Sequence, residues 1–108
     1  MRDELNKNRV ATKNESLVLN TDISKNNGTH WCSLFIQDGV SYYFDSYGFS
    51  PPLEVIEYCK GNRRYYNSFK LQEGDQVICG QYCIYMLYRL SNGDEFSDVL
   101  DELYRYKI

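Results

Sequence analysis

A chain of 108 residues fills one domain with a single hydrophobic core. Its 25% charged and 43% hydrophobic residues are ordinary globular values, and 16% aromatic content with 11 tyrosines favours packed strands over disorder. A net charge of −3 argues against a general nucleic-acid-binding surface, and no apolar run approaches the roughly 18 residues that a membrane-spanning helix needs.

Residues 1–15 are polar, with only Leu5, Val10 and Ala11 to bury, and predict a weak helix or an arm ahead of a domain over 16–108. Residues 16–20 predict a short strand, and the polar loop 21–28 suits the rim of a cleft. Next comes Gly28-Thr-His30-Trp31, holding the single histidine, and an apolar strand through Gln37. Asp38-Gly39 is a strong two-residue hairpin signal before the strand 40–45. A turn there pairs residue 32 near 45 and residue 30 near 47, so the side chains of His30 and Asp45 fall within a few positions of each other. A slip of one residue would send each to the opposite face.

Residues 50–61 predict a helix with Ser50 as N-cap, prolines in the first turn, a glycine at the end, and Leu53, Ile56 and Cys59 facing the sheet. Arg63-Arg64 beside Tyr65-Tyr66 reads as a solvated pair of cations next to a strand rather than a nucleic-acid patch, and 68–72 alternates as a strand should. Cys79 then opens the longest apolar helical run, with Cys83, Tyr85, Met86, Leu87 and Leu90 pointing to a central helix buried on nearly every side. A thiol at a helix start faces unpaired N–H groups and the positive end of the dipole, which favour the thiolate. After a turn at 91–93, Asp94 is placed to cap a last amphipathic helix covering the sheet. The predicted class is α+β: a small, mostly antiparallel or mixed sheet flanked by helices, with Cys79 starting the central one.

The four cysteines read as free thiols, since no signal peptide precedes them. Cys79 and Cys83, one helical turn apart, lack the paired partners that tetrahedral zinc prefers. Taken singly, Cys79 reads as a small buried hydrophobe, Asp45 as a turn former, and Gln72 as a solvated polar residue. Together, a nucleophile, a base and a group that orients the base are what covalent acyl transfer requires.

The motifs GTHW, YYFDSYG and Q…CGQYC, in this order, resemble the adenovirus maturation protease family (adenain). Its wider kin include virophage and Polinton-type proteases and the SUMO-processing enzymes. The likeness runs from about Leu17 to about Leu90. It implies a cysteine endopeptidase in which His30 is the base, Asp45 orients it and Cys79 is the nucleophile. Gln72 matches the oxyanion donor, with Gln76 a closer alternative; Trp31 and Gly80 flank the base and the nucleophile as supporting residues. Ile78 stands where the deconjugating branch usually carries Asp, so the viral branch fits better. The resemblance implies viral structural precursors as substrates, action in the virion or the host-cell interior, no resident cofactor or metal, and a possible peptide activator. The adenoviral relatives respond to DNA, which the acidic charge here does not favour. Two alternatives share these motifs: a protease processing ubiquitin-like proteins, and a catalytically incomplete binding domain. Relatives carry more helical sequence before the histidine, so the expectation is a minimal version, a fragment, or a chain completed by a partner.

Overall fold

The computed structural model describes residues 5, 14–20, 30–70 and 79–105, without the side chain of Cys79. The elements are β1 (Glu15–Asn20), β2 (Trp31–Gln37), β3 (Val40–Phe44), α1 (Leu53–Tyr58), β4 (Arg63–Tyr66), α2 (Cys79–Ser91) and α3 (Phe96–Arg105). Most of the N-terminal arm, the loop 21–28, Gln72 and Gln76 lie outside the described residues. The class is α+β, with a four-stranded mixed sheet in the order β1-β2-β3-β4.

The hairpin dictates the centre of the sheet. Asp38 and Gly39 both take positive φ, 54° and 78°, which a tight two-residue turn between right-twisted strands requires. The turn sets Gln37 opposite Val40 and Ser33 opposite Phe44, and the same register continued puts residue 32 level with 45. β1 adds antiparallel on the other side of β2. β4 runs parallel to β3, so the chain must cross back between them, and α1 makes that crossing.

Alternation along the strands divides the core in two. On one face Phe35 and Phe44 pack with Tyr82, Cys83, Met86 and Leu90 of α2 and with α3. On the other, Leu34, Ile36 and Tyr43 meet Val55, Tyr58 and Cys59 of α1. Leu5, in the N-terminal arm, packs against this second cluster.

Four features differ from the sequence-based expectation. First, Pro52 rather than Ser50 is the N-cap of α1, because the prolines hold the chain extended up to Leu53. The helix buries Val55, Tyr58 and Cys59 and leaves Leu53 66% exposed; burial of the large Tyr58 ring, whose hydroxyl donates to Glu15 on β1, sets its rotation. Second, the fourth strand is Arg63–Tyr66, and residues 68–70 are not strand, because the side chain of Asn67 takes over from the backbone ladder there. Third, α2 is buried on one side only: Ile84 and Tyr88 are more than 60% exposed while Cys83 and Met86 are fully covered. Fourth, the Asp94 carboxylate accepts from Arg89 Nε at 2.6 Å, and α3 begins at Phe96, packing on α2 and reaching the sheet through the Phe96 ring against Tyr42.

The one-sided burial of α2 has a measurable consequence. Met86→Ala should destabilise the protein by about 2–5 kcal/mol in chemical denaturation, whereas Ile84→Ala, two positions away, should cost about 0.5 kcal/mol or less. Equal losses would mean that α2 is covered on both sides.

Candidate active site

His30 and Asp45 meet where β2 begins and β3 ends. The ladder that pairs Ser33 with Phe44 brings both side chains to the mouth of the hairpin, and His30 Nε2 lies 2.7 Å from Asp45 Oδ1. His30 is 9% exposed and Asp45 1%. The carboxylate oxygen can only accept, and it also accepts from the Tyr47 backbone N–H at 2.8 Å, so Nε2 must carry its proton and donate. In the neutral ring Nδ1 is then the lone-pair nitrogen. It is buried and has no hydrogen-bond partner among the described residues.

Several contacts hold Asp45 in place. The bond from Tyr47 N–H is an Asx turn, and Gly48 N–H closes the loop onto the Asp45 carbonyl at 2.8 Å. Gly48 has φ +73°, and a Cβ there would fall within 2.8–2.9 Å of Ser68 and Phe69 backbone atoms, so only glycine fits. Asn67, 3% exposed, clamps the backbone of Asp45 from the other side. Its Oδ1 accepts from Asp45 N–H at 2.9 Å, and its Nδ2 donates to Asp45 C=O at 2.7 Å. The side chain thus acts as a surrogate strand residue. The signal for this clamp in the sequence is an asparagine directly after a strand, a residue type whose side chain readily bonds backbone.

The Tyr47 ring leans on His30, with centroids 4.6 Å apart and planes at 51°. It, rather than Trp31, covers the imidazole. Trp31 itself is 42% exposed, so it fills no core. Below the pair lies Cys32, whose sulfur, a His30 nitrogen and an Asp45 oxygen fall within 4.8 Å of one another. A cation held there would have to break the His30–Asp45 bond and take the thiol proton. Burial first, then the Asp45 carboxylate, push the Cys32 thiol well above its ordinary value, and burial does the same to the neighbouring Tyr43 phenol. Cys32 is therefore a protonated, inert filler; Cys59 and Cys83 are also buried and form no disulfide among the described residues.

Cys79 is the first residue of α2, and its side chain lies outside the described residues, as do Gln72 and Gln76. The course of the helix is nevertheless fixed by its neighbours. The Cys83 thiol donates to the Trp31 carbonyl at 3.3 Å, while Leu90 lines a cleft with Phe35 and Gln37. α2 therefore runs alongside β2 in the same direction. The backbone of Cys79, one turn or roughly 6 Å before Cys83, lies beyond Trp31 toward the level of His30. Gly80 is half-buried, and a Cβ there would meet no described atom within 4 Å, so packing does not demand glycine at that position.

The four-stranded mixed sheet flanked by helices has a counterpart among solved structures. Among solved structures it matches ASFV pS273R protease, studied as its selenomethionine form, with TM-score 0.64 and 24% identity over 78% of this chain and 36% of that one. The chain thus spans little more than a third of that structure's length. The likeness is one of fold. No family model and no curated protein matches the sequence.

Asn67→Ala should lower the unfolding free energy by about 1–3 kcal/mol, since it strands the buried Asp45 N–H and leaves the Asp45 carbonyl with the Gly48 N–H as its donor. It should also weaken the His30–Asp45 bond, seen as loss of the downfield imidazole N–H proton signal; a retained signal would mean that the clamp does not position Asp45. In native protein near neutral pH, alkylation followed by mass spectrometry should leave Cys32, Cys59 and Cys83 unmodified and modify all three after unfolding.

Proposed function

We propose that the chain carries the catalytic centre of a cysteine endopeptidase, with Cys79 as nucleophile, His30 as base, Asp45 as the group orienting the base and Gln72 as an oxyanion donor. The observation that carries this reading is the state of His30: Nε2 is committed to a buried carboxylate, and Nδ1 is left as a buried acceptor at the end of the sheet toward which α2 starts. An imidazole held in this way is ready to take one proton from a fixed direction.

In the first step the Cys79 S–H proton moves to His30 Nδ1, and the thiolate adds to the scissile carbonyl carbon. Asp45 stabilises the imidazolium and keeps the ring from turning. The carbonyl oxygen becomes an oxyanion, which Gln72 and the Cys79 backbone N–H would face; the free N–H groups of the first turn of α2 add a favourable dipole. The tetrahedral adduct collapses, the C–N bond breaks, and the leaving amine takes the proton from Nδ1. Water, deprotonated by the same nitrogen, then cleaves the thioester. Gly80 would allow substrate backbone to pass close to the nucleophile.

By resemblance, the substrate is a viral structural precursor processed in the virion or host-cell interior, and a peptide activator would complete the cleft. The fold shared with a viral protease supports this branch.

A peptide probe ending in an electrophile that traps thiolates should label Cys79 near neutral pH, and His30→Ala should slow labelling by about 10²-fold or more. Cys79→Ala should abolish cleavage of a co-expressed capsid precursor with little change in thermal midpoint. Labelling of Cys79 no faster in wild type than in His30→Ala would overturn the reading, and release of a folded modifier from a Gly-Gly fusion, with the precursor left intact, would redirect it to deconjugation.

A further inference from the structure

At the far end of the sheet from His30 there is a second concavity, a cleft of about 530 Å³ between the strands and the start of α3. Phe35 lies five residues along β2 from His30 and Tyr42 three residues along β3 from Asp45, so this cleft lies about 10–17 Å from the His30–Asp45 pair. Its walls are aromatic. Phe35, Tyr42 and Tyr65 come from three neighbouring strands on the α2 face, and Phe96 comes from the first turn of α3. Tyr42 is the hub: its ring stacks on Tyr65 with centroids 5.7 Å apart and planes at 17°, and lies 5.3 Å from Phe96.

The rim is acidic. Asp94 and Glu95 both line the cleft, and Asp98, Asp101 and Glu102 follow along α3 with no cation before Arg105. Arg89 answers only part of this charge, because one guanidinium serves both Asp94 and Glu102. Glu95 makes no ion pair among the described residues. The positive end of the α3 dipole offsets some of the field, but Asp98 in the first turn already faces it. Arg63, two residues from Tyr65 on the same strand, does not line the cleft. An open aromatic ring beside an unpaired carboxylate forms a site for a cation.

The arrangement also selects among cations. Tyr42 and Tyr65 stack with near-parallel planes and so cover each other's inner faces, and Tyr65, 45% exposed, offers an open ring at the cleft. A planar guanidinium stacks on such a ring, whereas a compact, strongly hydrated ammonium gains less. We infer that this cleft binds an arginine side chain presented by a protein partner, with the guanidinium against the Tyr65 ring and Glu95 as its counter-charge. A partner held here would be anchored about 10–17 Å from the candidate reaction centre. The inference does not depend on the peptidase reading, since binding can be followed with no turnover.

The test is an NMR titration of the whole chain with Ac-Gly-Arg-Gly-NH2, its citrulline isostere and its lysine counterpart. The arginine peptide should shift the signals of Tyr42, Tyr65, Glu95 and Phe96 saturably and bind at least threefold more tightly than the other two, less so at high salt. Tyr65→Ala and Glu95→Gln, both on exposed positions, should each weaken it by about threefold or more, while Cys79→Ala should bind as wild type. Equal binding of citrulline, equal binding of lysine, shifts located elsewhere, or no saturable shift would each overturn the assignment. A wild-type affinity in Glu95→Gln would do so too, whatever Tyr65→Ala does to folding.

Discussion

The hydrogen bond from His30 Nε2–H to Asp45 Oδ1 is the constraint around which the site is arranged. A buried carboxylate is costly unless its lone pairs are answered, and here the Tyr47 N–H and the imidazole answer the same oxygen. That arrangement settles the tautomer of the ring and leaves a single basic nitrogen. It also explains the density of backbone contacts just after β3. The Asx turn, the glycine at positive φ and the Asn67 clamp each remove a freedom that would let the carboxylate swing away from the ring.

The second constraint is the course of α2. A cysteine at a helix start has chemical meaning only if the helix delivers it to a base, and delivery depends on which way the helix runs along the sheet. The Cys83 thiol on the Trp31 carbonyl pins one end, and Leu90 beside Phe35 pins the other. Because Cys83 and Met86 are fully buried, the helix cannot slide or turn without opening the core. The same residues that stabilise the fold thereby hold the direction of the helix start, and stability and geometry at that end of the molecule are coupled.

The parts of this arrangement governed by local rules were legible in the sequence. Asp38-Gly39 determines its hairpin by backbone chirality alone, and the register that puts residue 32 level with 45 and residue 30 level with 47, with His30 and Asp45 in reach of each other, follows by counting. The parts governed by competition between distant groups were not. The rotation of α1 depends on Tyr58 finding Glu15 on β1, which no helical periodicity encodes. The site of the fourth strand depends on a crossover, and on Asn67 spending its amide on Asp45, which ends the ladder one residue after Tyr66. The apolar outer face of α2 misled in a simpler way: Ile84, Tyr85 and Tyr88 look like core residues by composition, and only the position of the sheet shows which side is covered.

The two ends of the sheet differ in kind. At the His30 end polar groups are buried and, His30 Nδ1 apart, bonded to one another, an environment that holds a proton-transfer geometry. At the other end Tyr42 and Tyr65 are open in part and Glu95 is solvated, which suits capture more than chemistry. Attachment about 10–17 Å from a reaction centre would raise the local concentration of a partner without touching the reacting bond, so the contact would act on encounter rather than on the chemical step.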